Sequence, residues 1–158
     1  MGKLFDSSEY VVEMVSEEVS KVGLESIGIT VKTMSLTKAK DIIKVSKANA
    51  TTEHLAKCDD MVCVYVYEQA FERLDEEAQR KFVEMAISSV SYDSEKDKIN
   101  IVSHPYLNLF RMCQKYGEEF VNTVEAGYLA IQQIEDEERE EKERLKEERA
   151  AKKASRQQ

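Results

Sequence analysis

In the stretch SSEYVVEMVSEEVSKVG the apolar residues Val11, Met14, Val15, Val19 and Val22 recur at intervals of three and four, and Glu9, Glu17 and Glu18 keep one side wet. That spacing predicts one amphipathic helix, opened by a serine cap and closed by Gly23. The period then changes. Ile27, Ile29 and Val31 alternate in SIGITVKTMSL, which predicts a strand. TKAKDIIKVSKA mixes the two signals and is expected to form a short helix, followed by a polar helix end or loop over ATTEHLAKCDD. MVCVYVY is β-branched and aromatic almost throughout, the composition of a strand buried on both faces. Alternation places Tyr65 and Tyr67 on one face of it, with Val62, Val64 and Val66 on the other. The tyrosines then read either as the margin of a sheet packed by helices on both sides or as an aromatic face for a partner.

Beyond a helical turn at EQAFERL, Asp75 is placed to cap a helix over EEAQRKFVEMAISSVSY, with Glu76 and Glu77 favourable in its first turn. Phe82, Met85, Ala86, Ser89 and Val90 share one face of it, and Met85 is expected to point into the core. SEKDKINIV turns and returns as a strand, and Pro105 opens a further helix, PYLNLFRMCQKYG, that Gly117 ends. The fold class expected is α+β: a small mixed sheet with flanking helices.

After Gly117 the chain changes character partway. Phe120, Val124, Tyr128, Ile131 and Ile134 form one apolar stripe, but from Glu135 onward nearly every residue is charged. Some spacings attract, as in Glu138–Lys142, and some repel, as in Glu143–Glu147. Leu145 alone cannot sustain a coiled-coil seam. Residues 1–134 are therefore expected to form the domain, and 135–158 a charged helical extension. The extension is read as a solvated helix, or, together with the amphipathic turns before it, as a contact for another protein through Tyr128, Ile131, Ile134, Arg139 and Arg144.

The chain of 158 residues is 42% hydrophobic, enough for one cored domain and an appendage. Its formal charge of -8 does not favour a general grip on nucleic-acid phosphates. Cys58, Cys63 and Cys113 are odd in number and lie among apolar residues, the usage of a reducing compartment. No apolar run reaches bilayer length, and the first residues lack the layout of a secretory signal. Gly2 is not followed by a full myristoylation pattern, since Asp6 stands where Ser or Thr is needed. A soluble, intracellular protein is expected.

Between Asp59 and Gly117 the pattern becomes more particular. Asp60 precedes the strand from Met61 to Tyr67. Phe71 and Leu74 follow, then Tyr92–Asp93, Asp97–Lys98, a strand, and His104 before a helix. This arrangement resembles the phage metallopeptidase family, a zincin-like group, over somewhat more than a third of the chain. The resemblance implies a zincin-like core, a phage origin, and His104 at the position of a downstream metal histidine. It also implies where HExxH would fall: its first histidine on Met85, its glutamate on Ala86 and its second histidine on Ser89. HExxH works because residues four apart on a helix face one zinc ion while the glutamate activates its water. Methionine is a weak zinc ligand, alanine accepts no proton, and serine binds zinc poorly at neutral pH. Glu84 lies nearby, but the only histidines are His54 and His104, so HExxH cannot form anywhere in the chain.

Other chemistry is weaker. Ser88 or Ser89 with Asp93 and His104 supplies the residue types of a hydrolytic triad, without a nucleophile-elbow sequence. His54, Cys58 and Cys63 could suggest metal, but a cysteine among strand valines reads as buried and structural. Five glycines form no phosphate loop. The reading is a pseudo-enzyme with no catalytic residue, no metal and no cofactor. Its role would be structural, virion-associated or partner-binding, in the host cytoplasm or the virion. The partners expected are phage or host proteins or a second copy of the chain, without a membrane and with nucleic acid not favoured. The alternatives are a hydrolase with non-zinc chemistry, with His104 as acid–base, and a binder of nucleic acid or of a host protein.

Overall fold

The computed structural model describes residues 2–102 and 105–156. Helix α1 spans Glu9–Val22 and buries Val11, Met14, Val15 and Val19, as the three–four spacing requires, while Val22 is left exposed. Gly23 closes it at φ 78°, the left-handed conformation that costs glycine nothing. Ser8 occupies the cap position, but its hydroxyl makes no capping bond. Its N–H instead donates to the carboxylate of Glu68, 3.1 Å away.

The main sheet has four strands in the order β1 (Leu4–Asp6), β2 (Thr30–Leu36), β4 (Met61–Val66) and β3 (Ile43–Lys47). β2 and β4 are parallel and the other two pairings antiparallel, so the sheet is mixed. Two expectations fail in this region. Ile27 is not in the strand: it sits half-exposed in a 3-10 turn, Glu25–Ile27, because the left-handed Gly23 and Gly28 flank this segment and delay the strand to Thr30. The helix expected over TKAKDIIKVSKA is β3. Its Ile43 and Val45 alternate, and β4 offers it a free edge, with Ile43 opposite Val66 and Val45 opposite Val64. Tertiary pairing overrides a mixed local signal.

β4 is the central strand. Val62, Val64 and Val66 are fully buried on the face that α1 and helix α4 (Glu76–Ser88) cover. Cys63 and Tyr65 lie on the opposite face with Met61, Ala48, Met34 and Cys58, where Lys32 and Lys44 stand exposed. Tyr67 does not share that face. The strand ends at Val66, the chain turns into the single-turn helix α3 (Glu68–Phe71), and the turn carries Tyr67 into the main core at 1% exposure. Helix α2 (Ala50–Ala56) occupies most of the segment expected to be a polar helix end.

Asp75 caps α4 by accepting from Ala78 N–H at 2.7 Å. The helix stops at Ser88, short of the expected run, because Val90–Asp93 pairs as β5 with β6 (Lys98–Ile101) in an antiparallel hairpin. Helix α5 spans Pro105–Tyr116.

The last helix, α6, runs unbroken from Glu118 to Ser155, about 57 Å at the α-helical rise. Its buried stripe is Phe120, Thr123, Gly127, Ala130 and Ile134, so Tyr128 turns outward and Val124 is only half-buried. The seam runs through Gly127 because a Cβ there would stand 2.6 Å from Cζ of Phe82 and 3.1 Å from Cγ1 of Ile42. Just past Ile134, Glu137 takes a two-bond contact from Arg73 and Glu138 pairs with Lys38 at 3.2 Å. From Arg139 to Arg156 every residue is exposed. Among the described residues no helix is long and apolar enough to cross a membrane.

Candidate functional site

The C-terminal end of α4, strand β3, the β5–β6 hairpin and α5 enclose a cleft of about 440 Å³. Met85, Ala86 and Ser89 form its α4 wall, Ile43 and Val45 its β3 wall, and Ile101, Val102 and Asn108 the remainder, with Asp41 and Lys44 contributing charge. α4 places the three together because residues 85, 86 and 89 lie one turn apart on the same helical side. Met85 packs against the core as expected, but it is only half-buried, because it also faces the cleft.

These side chains do not fit a zinc ion. The Ser89 hydroxyl is buried and donates to the Ala86 carbonyl at 2.5 Å, which commits it to ending the helix. Ala86 offers only a methyl group and Met85 only a thioether. Glu84 accepts hydrogen bonds from Lys115 and from the Tyr116 hydroxyl, both on α5. That carboxylate raises the Tyr116 phenol above its ordinary value, with burial adding to the shift, and it holds the Lys115 ammonium high as well. Among the described residues no group of three or more His, Cys, Asp or Glu could hold a metal ion. His104 lies outside the described residues, so its position relative to Met85, Ala86 and Ser89 is not part of this geometry.

The hydrolytic alternative gains nothing from its serines. Ser88 donates to the Met85 carbonyl at 3.0 Å, and Asp93 accepts from the N–H groups of Glu95 and Lys96, closing the hairpin turn. Cys63 is buried mid-strand, and the Cys58 thiol lies 3.7 Å from the Met61 sulfur. His54 is exposed on α2.

The residues named for partner contact divide. Ile134 is buried in the main core and Ile131 packs against it, so the chain's own domain engages both. Tyr128 is exposed and its hydroxyl accepts from Gln132. Arg139 is exposed and pairs with Asp136, and Arg144 is exposed.

Sequence reasoning missed two polar groups. Asn108 donates through Nδ2 to the Val102 carbonyl at 3.1 Å, while its Oδ1 is buried without a hydrogen-bond partner among the described residues. Glu68 is 7% exposed and accepts from Ser35 Oγ at 2.5 Å as well as from Ser8 N–H. A lone asparagine in an amphipathic helix and a lone glutamate after a strand carry no signal in one dimension. Glu68 acts on segments 33 and 60 residues away, and Asn108, bonded six residues back to Val102, lines a cleft whose other walls are distant in sequence. Comparison with protein-family models, curated proteins and solved structures finds no match to this chain.

Proposed function

We propose that this chain is a non-catalytic binding protein on a zincin-like frame, a phage protein with a structural, virion-associated or partner-binding role. The observation that carries the reading is the chemistry of the cleft wall. Met85, Ala86 and Ser89, the positions where the resembled family holds two zinc ligands and a general base, stand together there and offer only a thioether, a methyl group and a hydroxyl committed to the Ala86 carbonyl. The architecture supports it: a mixed sheet with an antiparallel edge strand, β3, against which α4 packs to form the cleft. The exposed charged length of α6 supplies surface for association rather than for chemistry.

The test is elemental analysis of the purified full chain together with an assay on unfolded protein substrates. The expected result is no stoichiometric zinc and no cleavage. One tightly held zinc per chain, lost in His104→Ala, overturns the reading.

A further inference from the structure

Cys63 sits among valines in the sequence but not in space. Val62, Val64 and Val66 face α1 and α4, while Met61, Cys63 and Tyr65 face the other way. On that side Met61 and Cys63 are 3% and 2% exposed and cluster with Ala48, and Met34, Cys58 and Tyr65 pack against them. Lys57 and Asp60, both at positive φ, turn the chain so that Cys58 folds back over the start of β4. Its thiol lies 3.7 Å from the Met61 sulfur. The thiols of Cys58 and Cys63 and the thioethers of Met34 and Met61 are thus gathered on one patch of the sheet. Among the described residues no third His, Cys, Asp or Glu completes a harder site with the two cysteines.

We propose that Cys58, Met61 and Cys63 form a binding site for a soft monovalent cation, cuprous ion, on the sheet face opposite α1 and α4. Metal–sulfur bonds of about 2.3 Å set the sulfurs of a trigonal or tetrahedral site about 3.8–4.0 Å apart. The spacing of Cys58 and Met61 already matches that edge. Zinc takes four ligands drawn from thiolate, imidazole and carboxylate, and two thiolates alone do not hold it. Thiolates with a thioether suit cuprous ion. Binding forms copper–sulfur bonds and releases one proton from each thiol, with no change of oxidation state. Two thiolates and one monovalent cation leave one negative charge. Lys32, level with Cys63 on β2, and Lys44, level with Tyr65 on β3, offset it from the same face. Half-buried Cys58 is the way in, since Met61 and Cys63 are closed to solvent. The site shares no ligand with the Met85, Ala86 and Ser89 wall, so zinc lost in His104→Ala and copper lost in Cys58→Ser are separate results.

The test is titration of the reduced full chain with cuprous ion, without oxygen and in competition with the chelator bicinchoninate, while native mass spectrometry counts the bound ions. One ion per chain is expected, retained in Cys113→Ser and lost in Cys58→Ser. Met61→Leu keeps the core volume and should weaken binding about tenfold, because it removes the thioether and leaves both thiolates. Bound copper should also protect Cys58 from alkylation by iodoacetamide, and Met61→Leu should reduce that protection. Circular dichroism of each variant verifies the fold. No uptake by the reduced chain, uptake unchanged in Cys58→Ser or in Met61→Leu, or uptake lost in Cys113→Ser overturns the proposal.

Discussion

Gly127 shows how a single position can reverse an expectation. In an exposed helix, alanine in place of glycine stabilises by about 1 kcal/mol. Here the added Cβ would press on Phe82 and Ile42, both buried. Overpacking a filled core costs roughly 1–3 kcal/mol, which exceeds the gain in helix propensity. Gly127→Ala is therefore expected to lower the denaturation midpoint, and a raised midpoint would mean that α6 does not seat against α4 as described. The composition of the helix shows a glycine at 127 but not what it faces. The apolar stripe drawn through Val124 and Tyr128 was off by one residue at Tyr128, because glycine scores as nothing on a hydrophobic pattern yet here marks the closest contact.

At the scale of elements, Glu68 joins three segments. It begins α3, its carboxylate accepts from Ser35 on β2, and it lies at the N-terminus of α1, where unpaired N–H groups and the helix dipole favour a negative charge. Ser7 extends the network through its 2.8 Å hydrogen bond to Ser35. A glutamate from 60 residues away thus takes the N–H of the cap residue itself, the bond that the glutamate of a capping box makes, while the serine hydroxyl makes no cap bond. Glu68→Ala would strand buried donors and is expected to cost about 1–3 kcal/mol. Chemical denaturation measures it, and Ser8→Ala, whose hydroxyl makes no cap bond, is the comparison that should change little. The same scale explains the misreading of β3. Its Ile43 and Val45 were visible, but a strand of five residues is defined by its neighbour, and no one-dimensional pattern contains β4's free edge.

At the scale of the molecule, α6 carries one helix from the core into solvent. Truncation after Ile134 removes no buried residue, only the exposed contacts of Glu137 with Arg73 and of Glu138 with Lys38. The melting temperature is expected to stay nearly intact while association with a partner or a second copy weakens; unfolding on truncation would show that the extension supports the domain. The small remaining stability difference has a pH signature. Arg73 holds Glu137 below 4.5, so that contribution is present above pH 4.5 and is lost as pH falls through the lower folded value. Glu138 holds Lys38 above 10.5, so that contribution is present below pH 10.5 and is lost as pH rises through the higher one. Melting curves of both chains across pH should thus differ most between these limits and converge outside them. Much of this organisation was legible in the chain. Local pattern alone, in periodicity, composition and cap chemistry, determined α1, the central strand, the α4 cap and the change from apolar stripe to charge after Ile134, because each depends on residues within a few positions of one another. Tertiary structure alone decided that Tyr67 turns into the core, that TKAKDIIKVSKA pairs as β3, and that Met85, Ala86 and Ser89 share a cleft with Asn108. Each of those depends on what a distant segment places opposite, and contacts between distant segments leave no period in the sequence.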